Sequence, residues 1–162
     1  MFDDRILVLA KAFIDEARRK KLTVATAESC TGGLIAAALT EIPGASDVVT
    51  SGFVVYSNQA KIKLLGIKPL LVTHHGAVSE EVARAMAESA REISGASLTV
   101  SCTGIAGPSG GTRQKPVGLV HIAAARKGED TLWEECRFGD IGRTEVRLRS
   151  VEAALKLLLQ LL

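Results

Sequence analysis

The feature that most constrains the fold is a junction between two short apolar runs. The first run, 22–27, has the length of a buried strand, and the second, 34–39, is typical of a helix. The residues between them are Glu28, Ser29, Cys30, Thr31, Gly32 and Gly33. The first N–H groups of a helix are unpaired and positive, and glycines let a ligand approach the backbone. The junction therefore predicts a strand–helix unit whose corner either holds an anion or a reacting carbonyl, or carries Ser29 or Thr31 as an ordinary N-cap.

The rest of the chain continues this alternation of helical and strand patterns. Apolar spacing, capping residues and breakers predict helices at 2–20, 31–42, 59–65, 80–94 and 143–162. Strands are predicted at 22–27, 47–56, 97–102, 117–126 and 131–138, with the last two forming a hairpin. A loop is predicted around His74 and His75. This order predicts a single domain, 1–162, with a three-layer α/β/α fold and a mixed, mostly parallel sheet.

Composition and charge argue against several classes of protein. The chain has 162 residues, of which 47% are hydrophobic and 23% charged, and this balance is typical of a soluble globular domain. A net charge of +2 and an aromatic content of 4% argue against a nucleic-acid partner. The cysteines are Cys30, Cys102 and Cys136, with no CxxC pair, so neither a disulfide framework nor a zinc site is indicated. A reduced, cytoplasmic setting is therefore predicted.

Each end of the chain contains a short apolar run. The apolar run 6–10 is too short for the hydrophobic region of a signal peptide. The run 153–162 is broken by Lys156 and Gln160 and falls far below membrane-spanning length. No membrane partner is therefore predicted.

The last predicted helix has a broader apolar stripe than one core face needs. Its members are Val146, Val151, Ala154, Leu155, Leu157, Leu158, Leu159, Leu161 and Leu162. Either a subunit interface or deep packing in the chain's own core explains such a stripe. The first explanation makes the protein a homo-oligomer, which is the state we expect.

Three features are predicted to converge on the Ser29 corner, because the carboxyl ends of parallel strands share one crevice. The first is Tyr56 with Lys61, at the end of one strand and in the first turn of the next helix. The second is the glycine-rich loop 103–112. The third is the pair Arg143 and Arg147, which four-residue spacing places on one helical face.

Each feature also has an ordinary structural explanation. Lys61 is either a solvated helix lysine or, if burial keeps its amine neutral, a base. Tyr56 is either a half-buried strand residue or part of a site. The loop 103–112 either binds an anion or is a long turn, and it matches neither a P-loop nor a GxGxxG fingerprint. Cys30 is an alternative nucleophile to Ser29, with a histidine as its base.

Several blocks of sequence carry a resemblance to a known family. They are 26–33 (TAESCTGG), 52–58 (GFVVYSN) with Lys61 and Leu65-Gly66, 75–79 (HGAVS), 103–108 (TGIAGP) with Gly110-Gly111, and 115–118 (KPVG). In this order they resemble the C-terminal domain family of the competence-damage-inducible protein CinA, also known as nicotinamide-nucleotide amidase.

The resemblance implies hydrolysis of the carboxamide of nicotinamide mononucleotide, giving nicotinate mononucleotide and ammonia. It implies Ser29 as nucleophile, Lys61 as base and Tyr56 as the partner of Lys61 in proton transfer, with neither metal nor cofactor. The implied substrate-binding residues are Cys30, Thr31, Gly32, Gly33, Thr103, Gly104, Gly107 and Arg143. The oxyanion is expected to be held by backbone N–H groups near Gly32-Gly33 or Thr103-Gly104. The nucleotide phosphate is expected to be bound by Arg143, by Arg147 or by the glycine-rich loop.

The chain departs from the family pattern in two places. Where the family often has Gly-Asp-Arg before the last helix, this chain has Gly139-Asp140-Ile141-Gly142-Arg143. Some members also carry a larger N-terminal domain related to molybdopterin-binding folds. The matched blocks here belong to the C-terminal domain, and a stand-alone amidase is therefore expected. The alternatives are a non-catalytic nucleotide-binding module of a competence- or DNA-damage-related protein, and a pyridine-nucleotide oxidoreductase, which the missing fingerprint disfavours.

Overall fold

The computed structural model describes residues 2–162 and orders them as alternating helices and strands. The helices are α1 Asp4–Arg19, α2 Leu34–Thr40, α3 Asn58–Leu65, α4 Pro69–His75, α5 Glu80–Ser94 and α6 Arg143–Gln160. The strands are β1 Val24–Glu28, β2 Val49–Val54, β3 Leu98–Gly104, β4 Leu119–Arg126 and β5 Leu132–Arg137. A short 3₁₀ turn, Ala45–Asp47, precedes β2. The predicted strand–helix junction is therefore confirmed as β1 followed by α2.

The loop predicted around His74 and His75 is wrong, because these residues end helix α4. Pro69 occupies the first turn of this helix, where its missing N–H costs nothing. Gly76 follows the last helical residue, and its N–H donates to the Val72 carbonyl at 2.9 Å. The other predicted helices are confirmed within a few residues at their ends, and Ser57 and Ser79 cap α3 and α5 with their side-chain oxygens.

The five strands form one mixed sheet in the order β2-β1-β3-β4-β5. Strand β1 is parallel to both of its neighbours, and β4 is antiparallel to β3 and to β5. Four strands therefore run in one direction and only β4 runs in the other, so the predicted mixed, mostly parallel sheet and the β4–β5 hairpin are confirmed. The carboxyl ends of β1, β2 and β3 meet at one edge, as the site prediction requires.

Helices cover both faces of this sheet and make the three predicted layers. Helices α1, α2 and α6 pack on one face around a core that includes Phe13, Ile35 and Leu155. Helices α3, α4 and α5 pack on the other face around Val55 and Met86. Every residue of β1 is buried, because this strand lies inside the sheet with helices above and below it.

Deep packing accounts for the apolar stripe of α6. Val146, Val151, Leu155 and Leu158 are completely buried within the chain, where α6 packs against α1, α2 and the sheet. The stripe thus needs no subunit interface to cover it, and the homo-oligomer stays a prediction.

Over residues 2–162, no helix combines the length and the apolar character needed to cross a membrane.

Candidate active site

A cavity of about 340 Å³ lies at the edge of the sheet where β1, β2 and β3 end. Two of the three features predicted to converge on the Ser29 corner do meet it there, namely the segment from Tyr56 to Lys61 and the glycine-rich loop. Of the third feature, the arginine pair, Arg143 lines the cavity and Arg147 does not. The residues that line the cavity are Ser29, Cys30, Tyr56, Asn58, Lys61, Ala77, Val78, Thr103, Gly104, Ile105, Ala106, Gly107, Ser109, Gly110 and Arg143. Asn58, which the sequence analysis did not single out, begins α3 directly after the Ser57 cap.

Ser29 and Lys61 form a hydrogen-bonded pair on the cavity wall. The Lys61 Nζ lies 3.0 Å from the Ser29 Oγ, although the two residues are 32 positions apart in the chain. Lys61 is 1% exposed and Ser29 is 7% exposed. The Nζ also lies 3.1 Å from the Val55 carbonyl and 3.4 Å from that of Tyr56. Lys61 is therefore a buried, oriented amine, and the solvated helix lysine is excluded.

Burial moves the Lys61 amine towards its neutral form, and an ionised Cys30 acts in the opposite direction. Burial lowers the pKa of the Lys61 amine, and within residues 2–162 no carboxylate lies within 4.0 Å of it to form an ion pair. A neutral amine has two N–H donors and one lone pair. The Val55 and Tyr56 carbonyls can accept both N–H groups, which directs the lone pair to the Ser29 hydroxyl. This is the arrangement of a nucleophile with its base.

Tyr56 contacts this pair through its backbone and not through its phenol, so its geometry does not support the predicted role as the partner of Lys61 in proton transfer. The Tyr56 carbonyl oxygen lies 3.3 Å from the Ser29 Oγ and is the alternative acceptor, beside Lys61 Nζ, for the single hydrogen of the Ser29 hydroxyl. The Tyr56 side chain is 57% exposed, and the phenol oxygen accepts a hydrogen bond from Arg143 Nη2 at 2.9 Å. Arg143 Nη1 donates to the Gly107 carbonyl at 3.0 Å. Arg143 thus joins Tyr56 to the glycine-rich loop across the cavity wall.

The backbone at the start of the glycine-rich loop packs closely on residues 117–120, just before and at the start of β4. A Cβ at Gly104 would lie 2.8 Å from the Leu119 carbonyl oxygen, closer than real side chains come. A Cβ at Gly107 would lie 2.6 Å from a methyl group of Val117, and Gly107 has a φ of +79°. Thr103 donates its hydroxyl to the Ala77 carbonyl at 2.8 Å. These contacts make the loop a fixed wall.

At the start of α2 the corner offers neither a free anion site nor the predicted Ser or Thr cap. Gly33 occupies the N-cap position of α2 with a left-handed backbone and no side-chain cap. The carboxylate of Glu28, which is completely buried, accepts the N–H groups of Gly33, Ile35 and Ala36 at 3.1, 3.0 and 2.9 Å. The helix N-terminus therefore already binds an anion, and that anion is the protein's own Glu28.

Thr31, Gly32 and Gly33 do not line the cavity, contrary to the prediction for them. The Gly32 N–H donates to the Ser29 carbonyl at 3.0 Å and the Gly33 N–H to Glu28, so neither amide is free for an oxyanion. Thr31 is completely buried behind the turn. Of the predicted substrate-binding residues, Cys30, Thr103, Gly104, Gly107 and Arg143 do line the cavity.

Arg147 stabilises the same turn and does not reach the cavity. Its Nε donates to the Cys30 carbonyl at 3.1 Å, and its Nη2 donates to the Thr31 carbonyl at 2.9 Å. Both carbonyls belong to the turn that follows Ser29. Arg147 therefore holds the turn from behind, while Arg143, one helical turn earlier, faces the cavity.

Among the described residues that line the cavity there is no histidine, so a Cys30–histidine pair has no geometric support. The His121 Nδ1 accepts a hydrogen bond from the Trp133 indole at 3.2 Å. The His75 Nδ1 lies 3.1 Å from a carboxylate oxygen of Glu81. Within residues 2–162, no three His, Cys, Asp or Glu side chains are grouped so that they could hold a metal ion.

Glu28→Ala is expected to lower the free energy of unfolding by about 3 kcal/mol or more. The change removes the acceptor of three N–H groups at the start of α2, and an unsatisfied buried donor costs about 1–3 kcal/mol. Urea unfolding followed by circular dichroism measures the difference. The matched control is Glu41→Ala at the exposed end of the same helix, which is expected to change stability by less than about 0.5 kcal/mol. Equal unfolding free energies for the two variants would contradict this role of Glu28.

Known proteins that are similar to this chain belong to one family. The sequence model of the CinA C-terminal domain matches residues 7–162. A CinA-like protein of Chlorobaculum tepidum is 49% identical over 158 residues, and the alignment covers 94% of this chain and 37% of that protein. A CinA-like protein of Geobacter sp. strain M21 is 52% identical over 126 residues, with 78% of this chain and 29% of that protein covered. The chain thus spans about a third of the length of these curated relatives.

Solved structures show the same fold along almost the whole chain. The competence/damage inducible protein CihA from Agrobacterium tumefaciens has a TM-score of 0.98 and 50% sequence identity, covering 99% of this chain and 98% of that one. A competence-damaged protein (CinA) superfamily protein from Escherichia coli has a TM-score of 0.92 and 35% identity, covering 100% of this chain and 94% of that one.

Proposed function

The chain belongs to the CinA C-terminal domain family, and we propose that it hydrolyses the carboxamide of nicotinamide mononucleotide to nicotinate mononucleotide and ammonia. The observation that carries the proposal is the buried hydrogen bond of 3.0 Å between Lys61 Nζ and Ser29 Oγ on the cavity wall. A serine with a buried amine as its base is suited to acyl transfer. Water is the only reactant that this reaction needs besides the substrate.

The first half of the reaction forms an acyl-enzyme. The neutral Lys61 amine accepts the proton of the Ser29 hydroxyl, and the Oγ attacks the carboxamide carbon. The resulting Lys61 ammonium has three donors, which match the three acceptors around it: the Ser29 Oγ and the carbonyls of Val55 and Tyr56. As the tetrahedral intermediate collapses, the C–N bond breaks and Lys61 returns the proton, so that ammonia leaves.

The second half repeats these steps with water. Lys61, neutral again, accepts a proton from a water molecule that attacks the acyl carbon. Collapse of this second intermediate breaks the ester bond, and the Ser29 oxygen takes back the proton from Lys61. The products are nicotinate mononucleotide and the free enzyme, so both half-reactions use one base in one position.

The oxyanion is assigned to the backbone N–H of Cys30. Within the described chain this N–H makes no hydrogen bond to another backbone group, Cys30 follows the nucleophile directly, and it lines the cavity. The residue after a nucleophile supplies such a donor in other serine hydrolases. A donor of this kind contributes roughly 3–4 kcal/mol to the transition state. A second donor is proposed from the backbone at Thr103 and Gly104, which also line the cavity.

The phosphate of the nucleotide is assigned to Arg143. Its guanidinium lies on the cavity wall between the Tyr56 phenol and the Gly107 carbonyl, and within residues 2–162 it has no carboxylate partner at 4.0 Å or less. A guanidinium can bind two phosphate oxygens at once. The exposed phenol of Tyr56 is proposed to contact the substrate beside Arg143, while the Tyr56 carbonyl orients Ser29 and Lys61.

The test is the release of ammonia from nicotinamide mononucleotide by the purified protein, with nicotinate mononucleotide identified by chromatography. We expect equimolar ammonia and nicotinate mononucleotide. Nicotinamide riboside, which lacks the phosphate, is the matched control and is expected to react more slowly because it leaves Arg143 without a partner. Binding of the nucleotide without any ammonia would support a non-catalytic binding module and contradict the proposal.

A further inference from the structure

Two thiols lie beside the proposed nucleophile, and the mechanism above uses neither of them. Cys30 follows Ser29 directly, and Cys102 lies on β3, the parallel neighbour of β1. Their sulfur atoms are 3.6 Å apart. The Ser29 N–H donates to the Cys102 carbonyl at 2.9 Å, so both cysteines are fixed to the residue that would attack the substrate.

Their positions give the two thiols different roles. Cys30 is one of the residues that line the cavity and is 5% exposed, whereas Cys102 is completely buried, so a small oxidant that enters the cavity meets Cys30 first. The hydrogen bond between them lowers the pKa of Cys30 and raises the pKa of Cys102 well above its ordinary value. Cys30 is therefore the thiol of the pair that more readily forms the thiolate, which is the reactive form.

We propose that Cys30 and Cys102 are a modification site at which hydrogen peroxide forms a reversible disulfide that stops turnover. The Cys30 thiolate attacks one peroxide oxygen, an S–O bond forms, the O–O bond breaks, and the leaving hydroxide takes a proton to become water. The Cys102 sulfur then attacks the Cys30 sulfenic acid, the S–S bond replaces the S–O bond, and a second water leaves with the Cys102 proton. Two thiols and one hydrogen peroxide thus become one disulfide and two waters.

The effect on turnover follows from the distance that the sulfurs must travel, and it depends on the proposed amidase function. A disulfide bond is about 2.05 Å long, so the two sulfurs must approach by roughly 1.5 Å from 3.6 Å. Cys30 is bonded to Ser29, whose Oγ lies 3.0 Å from Lys61 Nζ. A displacement of about 1 Å at reacting groups can cost about 100-fold in rate. We expect a loss of that order on oxidation.

Cys136 provides the matched control. Burial, as the main cause, raises the pKa of Cys136 to about 12, which keeps it in the unreactive thiol form. It lies on the edge strand β5, separated from β3 by β4. Cys136→Ser therefore leaves the pair intact and gives a protein whose only cysteines are Cys30 and Cys102.

The experiment treats the Cys136→Ser protein with hydrogen peroxide, removes the oxidant with catalase, and measures intact mass, free thiols and tryptic peptides. We expect a mass lower by about 2 Da, no remaining thiols, a cross-link between the peptides of Cys30 and Cys102, and reversal by dithiothreitol. When Cys102→Ala is added to the Cys136→Ser protein, Cys30 has no partner for a disulfide, and peroxide is expected to add oxygen to Cys30. An unchanged mass, or oxygen added to Cys30 without a cross-link while Cys102 is present, would overturn the proposal.

Ammonia release, measured before oxidation, after it and after reduction, tests the link to turnover. A fall of about 100-fold that dithiothreitol restores supports the link, and full activity of the cross-linked protein overturns it. If the reduced protein releases no ammonia, the proposed function is wrong, yet the mass and thiol measurements still decide whether the disulfide forms.

Discussion

Lys61→Met is expected to lower kcat/KM for nicotinamide mononucleotide by about 10³–10⁴-fold, near the upper end of what a general base contributes. Methionine is unbranched, like lysine, and suits a buried position, but it has no lone pair that can accept the Ser29 proton at this site. The Ser29 hydroxyl keeps the Tyr56 carbonyl as its acceptor, at 3.3 Å, and a carbonyl is far too weak a base to activate it. The rate of ammonia release under subsaturating substrate measures the loss.

Two further variants separate the base from a simple positive charge. Lys63→Met alters an exposed lysine on the same helix, α3, and is expected to leave kcat/KM within about twofold, as for surface changes remote from the chemistry. Lys61→Arg retains the charge, but a guanidinium cannot lose its proton in a protein, so this variant is expected to be as inactive as Lys61→Met. An active Lys61→Arg enzyme would show that Lys61 acts as a charge and not as a base.

The pH dependence of the wild-type enzyme follows from the same assignment. The active form is the neutral amine, so kcat/KM rises with pH as Lys61 loses its proton. Burial lowers the pKa of Lys61, so this rise is expected below about pH 10.4, the ordinary value for a lysine. The residual kcat/KM of Lys61→Met is not expected to rise with pH in this range, because the variant has no amine to lose a proton. A wild-type profile that increases only above about pH 10.4 would contradict a buried neutral base.

The sequence predicts most of the fold because its local signals agree with its tertiary structure. The run 22–27 and the hydroxyl-rich, glycine-rich segment after it become β1 and the turn before α2. Since parallel strands end at one edge, Ser29 and the segment after β2 could be placed together although 32 residues separate Ser29 from Lys61. The burial of Lys61 could not be predicted, because it depends on α3 packing against α5 and not on any local pattern.

The function of Glu28 was missed although the sequence contained a signal for it. A carboxylate at the end of a fully buried strand is costly unless donors surround it, and the first N–H groups of the following helix are the nearest donors. The glycines in that turn predict room for a ligand, whereas the Glu28 carboxylate fills the space at the helix start. Arg147 was misassigned for a related reason: helical spacing placed it beside Arg143 but did not show that the turn after Ser29 lies between it and the cavity.

Ser29→Ala is expected to lower turnover by on the order of 10⁶-fold, the cost of removing the nucleophile in a serine hydrolase. Cys30→Ala is the matched variant, since it removes the other candidate nucleophile one residue away but keeps the backbone N–H assigned to the oxyanion. It is therefore expected to retain most of the activity. The opposite order of activities would make Cys30 the nucleophile.

The covalent intermediate and the double variant distinguish a nucleophile from a residue that only shapes the site. Rapid quenching of the wild-type enzyme is expected to give an intact-mass adduct of the substrate less one ammonia, mapped to the peptide with Ser29 and absent from Ser29→Ala. Ser29→Ala combined with Lys61→Met is expected to be no slower than Ser29→Ala alone, because a base contributes nothing once its hydroxyl is gone. Additive losses in the double variant would mean that Ser29 and Lys61 act separately, which their shared hydrogen bond of 3.0 Å argues against.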